Sequence, residues 1–180
     1  MKTWKKVTLG TVALGSAALL AACGNSGSSS SSSSKDIQWN LTSPIQTLDS
    51  SLATDTYSNI IIGNTNAGLT RVDKDGKAQP ELAKSVDVSK DGLTYTFHLR
   101  DGLKWSNGDA LTAKDFVYSW QRAVDPATAS EYGYLLGPVK NANEINAGKA
   151  DKSTLGVKAT DDTTFVVTLA QPTPYFEFLT

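Results

Sequence analysis

Asp91-Gly92-Leu93-Thr94-Tyr95-Thr96-Phe97-His98-Leu99-Arg100 decides the fold. Leu93, Tyr95, Phe97 and Leu99 share one parity, and Thr94, Thr96 and His98 share the other. Successive strand residues point to opposite faces, so this alternation predicts a strand with one buried aromatic face and one polar face. Just upstream, Val86 and Val88 alternate in the same way, and Lys90-Asp91-Gly92 lies between the two runs. Asp-Gly between alternating segments is a hairpin signal, because glycine takes the positive φ that tight turns require.

Working outward, Leu155-Gly156-Val157 and Thr164 to Leu169 flank Asp161-Asp162, with Phe165, Val167 and Leu169 alternating, which predicts a second hairpin. Between the hairpins, Thr112 precedes Asp115 by three, a variant capping box with Asp in place of Glu. The helix it starts carries Phe116, Val117, Trp120 and Val124 on one face and ends at Asp125-Pro126. Toward the N-terminus, Gly68 to Val72 reads as a strand closed by Asp73-Lys74-Asp75-Gly76-Lys77. Tyr57, Ile60, Ile61 and Ile62 have near-helical spacing, which predicts a short helix over Tyr57 to Thr65 capped by Asp55 or Thr56. Ser43 to Asp55 is irregular and polar, and Ile37-Gln38-Trp39-Asn40-Leu41 alternates like a first strand. Short strands interrupted by helices predict an α+β lobe. At the far end Tyr175, Phe176, Phe178 and Leu179 begin an apolar helical face, and the chain is expected to be the N-terminal fragment of something longer.

The first 34 residues have a different character. Lys2, Lys5 and Lys6 precede a mostly apolar stretch of 14 residues, Val7 to Leu20, and small residues lead to Cys23. This is the layout of a secretory signal, too short for the about 20 apolar residues that span a bilayer. Cys23 is the only cysteine, so it has no disulfide partner within the chain. Leu20-Ala21-Ala22-Cys23 resembles the lipobox of bacterial lipoproteins, which implies a diacylglyceryl anchor on Cys23 after cleavage behind residue 22. Residues 24–34 contain eight serines, seven of them consecutive from Ser28. Such a segment buries nothing and is expected to act as a flexible tether, with a root-mean-square reach of roughly 18 Å.

Composition narrows the function classes. The chain has 17 basic and 18 acidic residues; without Lys2, Lys5 and Lys6 the balance is 14 to 18, a net charge of −4. This mildly acidic surface with no basic run speaks against a nucleic-acid partner. His98, the only histidine, has solvent-side parity and is expected to be an ordinary strand residue. Asp73-Lys74-Asp75-Gly76 resembles the opening of a calcium loop, but the twelfth position is Lys84 rather than Glu, so a β-turn is expected. Asp161-Asp162 reads as solvated turn carboxylates, while Trp105 and Trp120 are expected to pack in the core. No phosphate loop, zinc spacing or serine–histidine motif occurs, so neither a catalytic constellation nor a cofactor or metal is expected.

Asp91 to Arg100, Gly102 to Gly108, Leu111 to Trp120 and Asp125 to Ser130, in this order, resemble family 5 of the bacterial extracellular solute-binding proteins, nearest its oligopeptide-binding branch. Leu155 to Ala159 and Pro172 to Phe176 add to the resemblance, which runs from about Ile37 to Thr180. Two positions depart from the family pattern: Ala67 stands where Glu is common before Gly-Leu, and Ala110 where proline is frequent. The resemblance implies an α/β, two-lobed periplasmic-binding-protein-like fold of type II. Residues 35–66 would start lobe one, residues 67–180 would form an α+β subdomain inserted in it, and the second lobe would lie outside this chain. It also implies a non-enzymatic receptor, anchored to the cell membrane and facing outward, that captures oligopeptides for an ABC transporter permease and its ATPase. Thr54, Asp55 and Thr56 match a stretch that runs beside the peptide backbone, and Tyr132 matches an aromatic lining the cleft. From the residues alone, Asp55 reads first as a helix cap, and Tyr132 reads as well as a packed tyrosine. Alternatives are a binder of dipeptides, a nickel chelate or a signalling peptide, and beyond the family a surface lipoprotein enzyme or an adhesin.

Overall fold

The four strands that the two hairpins supply form one antiparallel sheet. The computed structural model describes residues 39–180. Strands β3 (Ala83–Val88) and β4 (Thr94–Leu99) make the first hairpin, β5 (Val157–Asp161) and β6 (Thr164–Thr168) the second, and β4 pairs with β6 at its centre. The first turn closes through Ser89 N–H to the Thr94 carbonyl at 2.9 Å and Leu93 N–H to the Asp91 carboxylate at 3.1 Å. Gly92 sits there at φ +68°, where a side chain would be strained.

Register puts the predicted parity into three dimensions. Phe97 lies opposite both Val86 and Phe165, and Tyr95 opposite Val88 and Val167. Phe97, Phe165 and Val167 are fully buried on this face, while Thr96 and His98 point the other way. His98 pairs with Asp87 at 2.9 Å, a strand-surface contact in keeping with its parity.

Helix α2 (Ala113–Val124) covers the aromatic face. Asp115 Oδ2 accepts from the Thr112 backbone N–H at 2.7 Å and from its hydroxyl at 3.0 Å, which closes the N-terminus as the Thr-x-x-Asp spacing predicts. Phe116 and Trp120 reach Phe165 at ring-centroid distances of 5.7 and 5.2 Å, and Trp120 also meets Phe176 edge-on at 6.1 Å. Asp125 leaves the helix with ψ 121°, the extended conformation that a following proline favours.

Ahead of the sheet, helix α1 (Thr56–Thr65) leads to the small hairpin of β1 (Thr70–Val72) and β2 (Ala78–Pro80). In its turn the Asp73 carboxylate accepts from the backbone N–H groups of Asp75 and Lys77 at 2.8 and 3.0 Å, the β-turn use expected of it. Asp161 likewise accepts from Thr163 N–H at 2.8 Å, and Asp162 pairs with exposed Lys114. A short helix, α3 (Ala142–Asn146), follows α2 and has no counterpart in the sequence reading.

Three expectations fail. Residues 39–41 are not a strand, because no described strand pairs with them and an unpaired strand leaves its backbone groups without partners. Trp105 is 49% exposed, since it sits on a turn closed by its own N–H and carbonyl rather than on the strand face. The apolar run at 175–179 is a 3₁₀ turn, Phe176–Leu179, in which Phe176 is buried while Tyr175 and Phe178 are exposed. A single turn of that kind aims one ring at the sheet and the others outward.

Candidate functional site

Thr54, Asp55 and Thr56 sit between two fixed points. The first is a turn at Asp49, whose carbonyl accepts from Leu52 and Ala53 N–H at 3.0 Å each; Ala53 itself is buried. The second is the start of α1, where Asp55 adopts an extended conformation and its Oδ1 accepts from Ser58 N–H at 2.9 Å. Ser58 is fully buried, and its hydroxyl accepts from Gln46 and Thr47 N–H at 3.1 and 3.3 Å, so the helix grips the incoming loop.

The three residues therefore differ in what they offer. Asp55 is the N-cap; its other oxygen, Oδ2, is buried without a hydrogen-bond partner among the described residues. The Ser58 side chain, and next the Ser58 N–H, hold its carboxyl below the usual carboxylate range. That carboxylate faces the protein. Thr54 and Thr56 are exposed, and among the described residues the Thr54 N–H and C=O make no backbone hydrogen bond. Thr54 therefore presents a backbone donor and acceptor without partners among the described residues, next to the extended Asp55.

A clamp from α2 holds the loop in place. Arg122 donates from both terminal nitrogens to the two oxygens of Asp49, at 2.8 and 2.6 Å. Each side chain is about one-third exposed. The guanidinium pulls the Asp49 carboxyl below its ordinary range, and the carboxylate raises Arg122 in return. Forked pairs of this kind fix orientation as well as distance. Sequence reading missed the pair, because the partners lie 73 residues apart. The only local signal was a cation in the last turn of a helix, where the dipole favours it.

Tyr132 occupies a separate turn beyond α2, at the head of the 3₁₀ turn Gly133–Leu136. That turn presses against the helix: a Cβ on Gly133 would lie 2.6 Å from the Ala123 carbonyl, so only glycine fits without a shift. Tyr132 is 45% exposed and its ring lies 6.3 Å from that of Tyr134, tilted by 47°. It is therefore a surface aromatic rather than a core one. Among the described residues no hydrogen bond joins Tyr132 to the Thr54 loop. Their common support is the end of α2, where Arg122 holds the loop and Ala123 meets the Tyr132 turn.

Asp49 and Asp55 are kept ionised by donors already engaged, so neither is poised to exchange protons. Among the described residues no group of three or more His, Cys, Asp or Glu side chains is placed to hold a metal ion. A groove of about 520 Å³, lined by Val139, Lys140, Asn141, Glu144, Thr168 and Leu169 among others, contains none of the four candidates. Cys23 lies outside the described residues. Among them, no helix is long and apolar enough to cross a membrane.

Known proteins place these features in context. The family model described as bacterial extracellular solute-binding proteins, family 5 Middle, matches residues 77–180. A dipeptide-binding protein of Lactococcus lactis subsp. cremoris is 58% identical over 99% of this chain and 32% of its own length. The oligopeptide-binding protein OppA of Bacillus subtilis is 42% identical over 99% of the chain and 34% of its own length. Among solved structures, Listeria monocytogenes OppA bound to peptide superposes with a TM-score of 0.73 at 46% identity, covering 76% of this chain and 27% of that one. The chain thus spans about a third of the length of the curated relatives it matches.

Proposed function

We propose that this chain, which belongs to family 5 of the bacterial extracellular solute-binding proteins, is part of a lipid-anchored receptor that captures oligopeptides and delivers them to an ABC transporter permease and its ATPase. The observation that carries the reading is the exposed Thr54 edge, held between the Asp49 turn and the extended α1 cap Asp55, with the Thr54 backbone groups free among the described residues. An extended peptide pairs with such an edge through main-chain hydrogen bonds, which give affinity without reading side chains. Tyr132, exposed beside Tyr134, supplies an apolar wall for peptide side chains. Thr56 stands beside the edge, and Asp55 serves it by capping the helix. The receptor works by binding and release, closing two lobes around the ligand without bond chemistry.

In this scheme residues 1–22 are removed, Cys23 carries the diacylglyceryl anchor and residues 24–34 are the tether. Residues 35–66 start lobe one, and residues 67–180 are the inserted subdomain. Two acyl chains matter, because a single chain anchors only marginally.

A second reading, capture of dipeptides, is favoured by the name of the Lactococcus relative at 58% identity. One experiment addresses both. Native mass spectrometry of the full-length protein purified from its host is expected to show bound peptides, and calorimetry with alanine peptides of two to six residues ranks the lengths. Tightest binding of the dipeptide moves the conclusion to the second reading. No peptide mass and no heat at any length would end both.

A further inference from the structure

We propose that Arg122 is a positioning residue for the ligand: through its forked pair with Asp49, helix α2 presets the Thr54 edge before any peptide arrives. The proposal rests on the reading of that edge as a peptide-binding segment. Asp49 is the start of the turn that launches the edge, since its carbonyl holds Leu52 and Ala53. Its carboxylate also accepts from Ser51 N–H at 3.0 Å, so one residue organises every backbone donor from 51 to 53.

Among the described residues, the other restraint on this side of the edge is local: the Thr47 hydroxyl accepts from Asp49 N–H at 3.0 Å. Ile45, Leu48 and Leu52 are exposed, leaving Ala53 as the one buried apolar residue from 41 to 55. The Ser58 hydroxyl holds Gln46 and Thr47, further back in the loop. Without Arg122 the Asp49 turn would keep its internal hydrogen bonds but lose its tie to the sheet-packed helix. A ligand would then have to order the segment as it binds, and that ordering is subtracted from affinity. Lysine cannot reproduce the effect fully, because a point charge makes one directional contact where the guanidinium makes two.

The test uses the full-length protein, with tri-alanine as the probe in calorimetry and amide exchange followed in the ligand-free state. Arg122→Met is expected to raise exchange over residues 50–55 and to weaken tri-alanine by about fivefold or more, the lower end of coupling between linked sites. Arg122→Lys should fall between wild type and Met, and it carries the test if the Met variant does not fold. Asp49→Asn combined with Arg122→Met should weaken binding no further than Arg122→Met alone, as expected for two halves of one contact. Val86→Ala, which trims the core face of the sheet, should lower the melting temperature and leave affinity unchanged; a purely structural role for Arg122 would make the two variants behave alike. Wild-type protein that binds tri-alanine, beside an Arg122→Met variant that binds it equally well, overturns the proposal alone. Wild-type protein that binds no peptide overturns the reading on which it rests.

Discussion

Residues 41–66 and residues 69–179 contain similarly apolar stretches, yet they hold their shapes by different means. In the second region Leu69, Phe97, Val124, Val139, Ile145, Phe165, Val167 and Phe176 are all essentially inaccessible, and α2 closes the sheet with tilted and edge-on rings. In the first, only Ala53 and Ser58 are buried; Ile60, Ile61 and Ile62 of α1 are half-buried at most. Its order comes from polar links instead: the Asp55 cap, the buried Ser58 hydroxyl and the Arg122–Asp49 fork. Burial scales with area and favours one cooperative core, whereas hydrogen bonds act locally and can open locally. A binding edge belongs in the second kind of structure, because it must stay exposed and still be held in place.

That contrast can be broken by substitution. Phe165→Ala should cost about 3–5 kcal/mol and unfold the sheet region cooperatively in denaturant, since it removes the ring that meets Phe97, Phe116 and Trp120. A loss under about 1 kcal/mol would mean that the core repacks freely, contrary to the close packing of Phe165 against its three aromatic neighbours. Ser58→Ala strips Gln46 and Thr47 of their acceptor, at about 1–3 kcal/mol. Its effect should be confined to amide exchange in residues 46–58, with β4 and β6 unchanged. Exchange rising equally in the sheet would erase the distinction between the regions.

Tyr132→Ala should weaken peptide binding by about tenfold, the scale of a modest aromatic contact, with no change in melting temperature because the ring is outside the core. A lowered melting temperature at unchanged affinity would return Tyr132 to a structural role. The smallest effect concerns acid. The folded Asp49 carboxyl is lowered, chiefly by Arg122, so the contribution of the pair is complete above the ordinary unfolded value of about 3.9 and is lost as pH falls through the lower folded value. In NMR titration the Asp49 carboxyl should titrate below its ordinary range, and amides at 50–53 should shift with it while those of β4 hold. A midpoint at or above the ordinary value would show that the fork is not formed in solution.

Much of the sheet region was legible from residues alone. Strict alternation at Tyr95, Phe97 and Leu99 and at Phe165 and Val167, with Asp91-Gly92 and Asp161-Asp162 between the strands, specified both hairpins and the buried face of β4; that Val166 is buried as well was not legible. Thr112, Asp115 and Pro126 bounded α2 for reasons that lie within a few residues of each helix end. Alternation misled at 39–41, which find no paired neighbour among the described residues (Ile37 and Gln38 lie outside them), because side-chain parity says nothing about whether a partner strand exists. Trp105 misled as well, since ring size predicts burial only when the backbone aims the ring inward. The candidate residues Thr54, Asp55, Thr56 and Tyr132 came from resemblance; periodicity does not single them out.

The sequence by itself determined the hairpins, the capped helix and their apolar faces, because each depends on contacts between near neighbours in the chain. The tertiary structure alone decided which of the candidates face solvent and what holds them there. It spent the Asp55 carboxylate on a cap, left the Thr54 backbone without a partner among the described residues and put the Tyr132 ring outside the core. Above all it joined Arg122 to Asp49 across 73 positions. No local pattern encodes that pairing: two exposed-looking charges become a clamp only when the packing of α2 on the sheet brings them within hydrogen-bonding distance.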